Sequence, residues 1–107
     1  MDESRFNQVA DVMLARIEYA LGESEGDFDF EIKAGGMIEI EFSSGGKIII
    51  NRHSAAREIW LAARSGGYHF RLEGDVWINS RDGSELVAVL ERCMTDQAGA
   101  PIKLAEV

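Results

Sequence analysis

Between Lys47 and Leu72 the chain alternates apolar and polar residues in three closely spaced runs, and this restricts the fold more than any other feature. In a strand successive side chains point to opposite faces, so the first run, Lys47 to Asn51, sets Ile48 and Ile50 against Lys47, Ile49 and Asn51. The second, Glu58 to Ala62, places Ile59 and Leu61 on one side and Glu58 and Trp60 on the other. The third, Tyr68 to Leu72, opposes Tyr68, Phe70 and Leu72 to His69 and Arg71. Three such strands with short connections predict an antiparallel meander. If the core takes Ile59 and Leu61, the indole of Trp60 faces water; on burial tendencies alone a tryptophan belongs in the core.

The flanking segments extend the pattern. Asp27 to Lys33 alternates strictly, with Asp27, Asp29, Glu31 and Lys33 on one face and Phe28, Phe30 and Ile32 on the other. Gly35 and Gly36 lead into Met37 to Phe42, and Val76 to Asn79 reads as a last short strand whose period leaves the burial of Trp77 open. Ahead of the strands, Phe6, Val9, Ala10, Met13, Leu14, Ile17, Ala20 and Leu21 recur by threes and fours, predicting a helix from Glu3 to about Leu21, with Gly22 as its C-terminal cap. After them, Leu86, Val89, Leu90, Cys93 and Met94 predict a second helix, capped by Asp82 or Ser84 and ended by Gly99 and Pro101, with Ile102 to Leu104 lying back on the domain. Two helices with one apolar stripe each and a sheet with one apolar face define an α+β fold. The expected architecture is a single domain over residues 1–107, a two-layer α/β sandwich with both helices on one face of a five- to six-stranded antiparallel sheet. The other sheet face stays open.

Charge is distributed unevenly. Residues 1–31 hold nine acids against two bases, a balance of -7, whereas the whole chain carries -8. Glu3, Asp11 and Glu18 fall within one stripe of the first helix at about 100° per residue. Such a patch repels phosphate backbones and points away from nucleic acid. The partners it suits are cations and basic protein surfaces. No apolar run is long enough to span a membrane, and the opening MDESRF is unlike an export signal, so the expected location is the cytoplasm. Cys93 stands alone, which excludes a disulfide framework and a Cys-x-x-Cys knuckle.

Paired carboxylates can serve acid–base catalysis, but that work needs a concave, partly dry pocket that separates their pKa values, and an open sheet offers none. No P-loop, Gly-x-Ser-x-Gly, His-x-x-Glu-His or dinucleotide glycine pattern occurs, which argues against a metabolic enzyme. Metal binding suits the acids better. Carboxylates without thiolates select hard ions, oxidised iron among them, and tolerate ferrous iron. Same-face neighbours on a strand are roughly 6.5–7 Å apart at Cα, so one ion reaches about two side chains and water completes its shell.

The runs KIIINR, IWLA and SGGYHF, together with FNQVAD and RIE in the first helix, GGMIEIEF, GDVWINSRDGSEL and the tail from QAGAP, closely resemble the frataxin family in its bacterial CyaY branch. The similarity runs over nearly the whole chain. It implies weak, exchangeable binding of ferrous or ferric iron along an acidic ridge. It also implies a role in iron–sulfur cluster assembly through contacts with the cysteine desulfurase and the scaffold protein, by a monomer acting as iron donor or as regulator. By position the ridge residues are Asp11, Glu18, Glu23, Glu25, Asp27, Asp29 and Glu31, while Tyr19 and Gly22 stand where relatives often carry acids. Trp60 matches the family's exposed tryptophan and Asn51 its sheet-face asparagine; with Glu58 and His69 they make the expected partner surface. Where the family usually has Gln-x-Pro after Asn-Arg, this chain has His53, Ser54 and Ala55.

Three residues keep two readings each. Cys93 is a small buried hydrophobe or a reactive thiol. His53 and His69 are surface hydrogen-bonding groups or ligands, and His69 has the better case for a ligand because it shares the open face with Trp60. Two alternatives to an iron donor also remain: a purely protein-binding regulator with incidental iron affinity, and an iron-oxidising or storage protein.

Overall fold

The structure is a computed structural model that describes residues 1–104. The first helix, α1, spans Glu3–Glu23, and its apolar positions Phe6, Ala10, Met13, Leu14, Ile17, Ala20 and Leu21 are all buried. Asp2 caps it by accepting the Arg5 N–H at 2.7 Å. The helix does not stop at Gly22. It runs one residue further, and Ser24 is the C-cap, donating its N–H to the Leu21 carbonyl at 3.3 Å. Gly22 keeps helical backbone, and a Cβ there would lie 3.9 Å from the Phe30 ring, an ordinary contact, so neither strain nor space makes it a terminator.

Six strands follow in sequence order: β1 Phe28–Ile32, β2 Ile38–Phe42, β3 Lys47–His53, β4 Glu58–Ala63, β5 Gly66–Glu73 and β6 Val76–Asn79. Each pairs antiparallel with the next, so the sheet is a continuous meander ordered β1 to β6. The pairing aligns Ile40 with Ile48, Ile50 with Leu61 and Ile59 with Phe70, which puts the apolar alternates of every central strand on one face. Ile38, Ile40, Ile48, Ile50, Ile59, Leu61 and Phe70 are at most 1% exposed. Trp77 joins them beneath α1, 5% exposed and edge-on to Phe6 at 6.0 Å, which settles the question that its period left open.

The second helix, α2, spans Leu86–Ala98 and buries Leu86, Val89, Leu90, Cys93 and Met94. Neither Asp82 nor Ser84 caps it. Glu85 holds the N-cap position without a side-chain bond, because Asp82 is spent locally, accepting the Ser84 N–H at 3.0 Å and the Ser84 hydroxyl. Gly99 closes α2 in the left-handed conformation, φ 73°, and Ile102 and Leu104 are buried against the core. Gln97 is the buried polar residue of this helix. Its amide donates to the Lys47 carbonyl at 3.2 Å and accepts the Arg64 N–H at 2.9 Å, tying α2 to two turns of the sheet. Gln97→Leu removes both bonds at nearly unchanged volume, and urea unfolding should show a loss of about 1–3 kcal/mol.

Candidate metal rim and docking face

The acids predicted to bind metal occupy three settings. On α1, Asp11 is exposed but committed: its carboxylate pairs with the guanidinium of Arg52, which reaches over from β3. Glu18, further along the helix, and Glu23 and Glu25, at its end, are exposed and have no ion-pair partner among the described residues. Asp27 stands just before β1 and accepts the Ser43 hydroxyl at 2.7 Å, which fixes its carboxylate beside the strand. Asp29 and Glu31 point to the open sheet face, because Phe28, Phe30 and Ile32 pair in register with the inward Phe42, Ile40 and Ile38. Strand acids and helix acids therefore flank the edge strand from its two sides, and the seven do not form one cluster.

Register adds two glutamates of β2 that the expected metal-binding set does not include. Asp29 lies directly opposite Glu41, and Glu31 directly opposite Glu39. Four carboxylates thus make a two-by-two array on the open face of β1 and β2, around a shallow cavity of about 130 Å³. Like charges directly opposed destabilise a sheet. Two lysines offset the cost: Lys33 lies 3.8 Å from Glu31 and 3.7 Å from Glu39, and Lys47 lies 3.4 Å from Glu39 and 3.9 Å from Glu41. At Glu39 partial burial pushes the pKa up, but the Lys47 hydrogen bond and the charges of Lys33 and Lys47 outweigh it and hold the carboxyl below its ordinary 4.5. A depressed carboxylate adds stability above its unfolded-state pKa and loses it as pH falls through the lower folded-state value. Glu39→Gln should therefore flatten the decline of melting temperature on acidification below pH 4.5.

Asp29 is the member of the array with no lysine or arginine partner among the described residues. Asp29→Asn removes its repulsion with Glu41, and thermal unfolding should show a gain of about 0.2–1 kcal/mol. No three His, Cys, Asp or Glu side chains among the described residues converge where one ion could sit. An ion on this rim would have two protein ligands at most and would exchange readily with water.

The residues expected to form a partner surface come together on β3, β4 and β5. Asn51 pairs with Trp60 and Trp60 with His69 across the three strands, and His53 pairs with Glu58. Trp60 is half-buried, with Ile59 and Leu61 in the core on either side, so its position is the one the aliphatic pair dictates. What covers the indole is unexpected. His53 stacks on one face and His69 on the other, at ring distances of 3.9 and 4.5 Å. Glu58 accepts the indole N–H at 2.8 Å. The His53–Ala55 departure forms a 3₁₀ turn over Ser54–Ala56, docked to α1 by the Ser54 hydroxyl on Asn7 at 2.7 Å. Cys93 is 2% exposed, with its sulfur 3.7 Å from the Ser65 hydroxyl, the setting of a packed core residue.

A six-stranded antiparallel meander backed by two helices, with its other face open, is the frataxin-like class of fold. A model of the frataxin-like domain matches residues 1–100. The chain is 51% identical over 104 residues to the iron–sulfur cluster assembly protein CyaY of Dechloromonas aromatica, covering 97% of this chain and 99% of that protein. It is 44% identical over 102 residues to the protein of the same name from Vibrio cholerae, covering 95% and 97%. Among solved structures, the frataxin of Psychromonas ingrahamii superposes with a TM-score of 0.89 at 30% identity, covering 99% of this chain and 100% of that one. A trimeric frataxin of the yeast Saccharomyces cerevisiae, complexed with ferrous iron, gives 0.73 at 26% identity over 85% and 86%. The chain belongs to the frataxin family.

Proposed function

We propose that this chain is a monomeric, non-enzymatic iron-binding protein of iron–sulfur cluster assembly. Its acidic rim draws ferrous or ferric iron and a basic patch of the cysteine desulfurase, and its open face meets the scaffold protein. The observation that carries the reading is the run of carboxylates from Glu18 through Glu23, Glu25 and Asp27 to Asp29, exposed and without a basic partner among the described residues. In an ordinary solvated surface, acids so crowded would be interleaved with bases. Here the local charge is left uncompensated and attracts cations and cationic surfaces. The relatives named for cluster assembly and the yeast neighbour complexed with ferrous iron support the choice of iron over other hard ions. Weak, exchangeable binding follows from two ligands per ion. Within the rim, Asp11 ranks last as a ligand because Arg52 already neutralises it.

The test separates iron from docking. Asp27→Asn, Asp29→Asn and Glu31→Gln combined should weaken both ferrous binding and desulfurase binding, the latter most at low salt, where unscreened charges matter. Lost iron binding with unchanged desulfurase affinity would remove the docking role, and the reverse would favour a regulator with incidental iron affinity. Oxygen consumption with ferrous iron above the buffer rate would instead favour an iron oxidase.

A further inference from the structure

The open face holds one arrangement that iron binding does not use. His53 of β3, Trp60 of β4 and His69 of β5 stack in a row, with planes within 10° and 11° of parallel. Glu58 holds the row from one side: besides accepting the indole N–H, its carboxylate lies 3.8 Å from His69 Nδ1 and 3.6 Å from Arg71 Nε. The Glu58 side chain is 13% exposed whereas those of His69 and Arg71 are 52% and 63% exposed, so solvent screens these attractions in part. The two imidazoles differ. His53 has its Nδ1 buried with no hydrogen-bond partner, and what it contributes is a stacking face. His69 is open to solvent over half its side chain and turns a nitrogen towards a carboxylate.

We propose that His69 is a proton-operated latch on Trp60: taking up one proton clamps the indole between the rings and makes this half of the open face a better dock for a partner's carboxylates. The inference rests on the docking role of the open face argued above. Histidine is the side chain whose charge changes between about pH 5 and 8. An imidazolium at 4.5 Å from the indole ring gains a cation–π attraction and, on its other side, faces Glu58. Both pull the ring inwards. The remaining charges around it are Arg71 on its own strand, which competes for Glu58, and Arg81 and Asp82, which line a cavity with His69 beyond the end of β6. Those two oppose each other in sign, so Glu58 sets the balance. A clamped indole has less side-chain freedom to lose on binding. The added positive charge beside Arg71 and the Asn51 amide favours an acidic segment, whereas the β1–β2 half of the same face favours a basic one. A partner must then match both halves, which fixes its orientation. His53, where the family usually has glutamine, supplies the third ring.

The test is a pH titration of the full chain by NMR between about pH 5.5 and 8. The Trp60 indole N–H should shift with the same midpoint as the His69 imidazole, and the Trp77 indole should stay flat. His69→Gln should abolish the Trp60 shift, and His53→Gln should leave it. A flat Trp60 indole, or a shift that survives in His69→Gln, would overturn the latch. Affinity for the purified scaffold should be several-fold higher at pH 6 than at pH 8 in the parent and equal at both in His69→Gln; the same pH dependence in both proteins would also overturn it. No scaffold binding at either pH, with the indole shift intact, would sustain the latch and overturn the docking role instead.

Discussion

Trp77→Ala is expected to cost about 3–5 kcal/mol of folding free energy, measured by urea unfolding, a large share of the roughly 5–15 kcal/mol that holds a domain together. The size follows from its setting. The indole is 5% exposed, edge-on to Phe6, between α1 and the end of the sheet, and a close-packed interior collapses only partly into the space that a truncated side chain leaves. The same replacement at the other tryptophan should read out elsewhere. Trp60→Ala is expected to keep the fold, with a smaller stability loss than Trp77→Ala, and to weaken scaffold binding by about 2 kcal/mol or more, roughly thirtyfold. Trp60 is stacked on both faces and hydrogen-bonded at its N–H before any partner arrives, an arrangement that lowers the ordering cost of an aromatic anchor and that protonation of His69 would tighten further. Equal stability losses for the two variants, with binding untouched in Trp60→Ala, would contradict the division of labour between them.

The architecture was legible because it depends on periods that the sequence carries locally. Ile48, Ile50, Ile59, Leu61 and Phe70 declare one face of a sheet, and Phe6 to Leu21 declare one stripe of a helix. The errors arose where two local signals compete. Gly22 resembles a helix stop, yet glycine in a helix costs only about 1 kcal/mol, less than the packing of the surrounding turn supplies. Asp82 and Ser84 resemble caps, yet they satisfy each other first. Residues distant in sequence were harder to join. Nothing near Asp11 announces Arg52, 41 positions away. Glu39 and Glu41 become part of the acidic array only once the β1–β2 register sets them opposite Glu31 and Asp29, and the two-glycine connection at Gly35 and Gly36 was the available hint. The His–Trp–His stack needs the registers of three strands at once. Its signal was present as outward alternates on adjacent strands, but which ring meets which depends on the 3₁₀ turn at Ser54–Ala56 that follows His53.

The most direct test of the acidic rim is an amide-resolved NMR titration of the intact chain with ferrous iron, followed by the desulfurase. The expected result is selective broadening at Glu18, Glu23, Glu25, Asp27, Asp29 and Glu31, spreading to Glu39 and Glu41 at higher iron, with weaker effects at the Arg52-paired Asp11 and none at Trp60; the desulfurase should then reverse part of it by covering the same residues. Broadening centred on His53 and His69, or none at millimolar iron, would contradict the account.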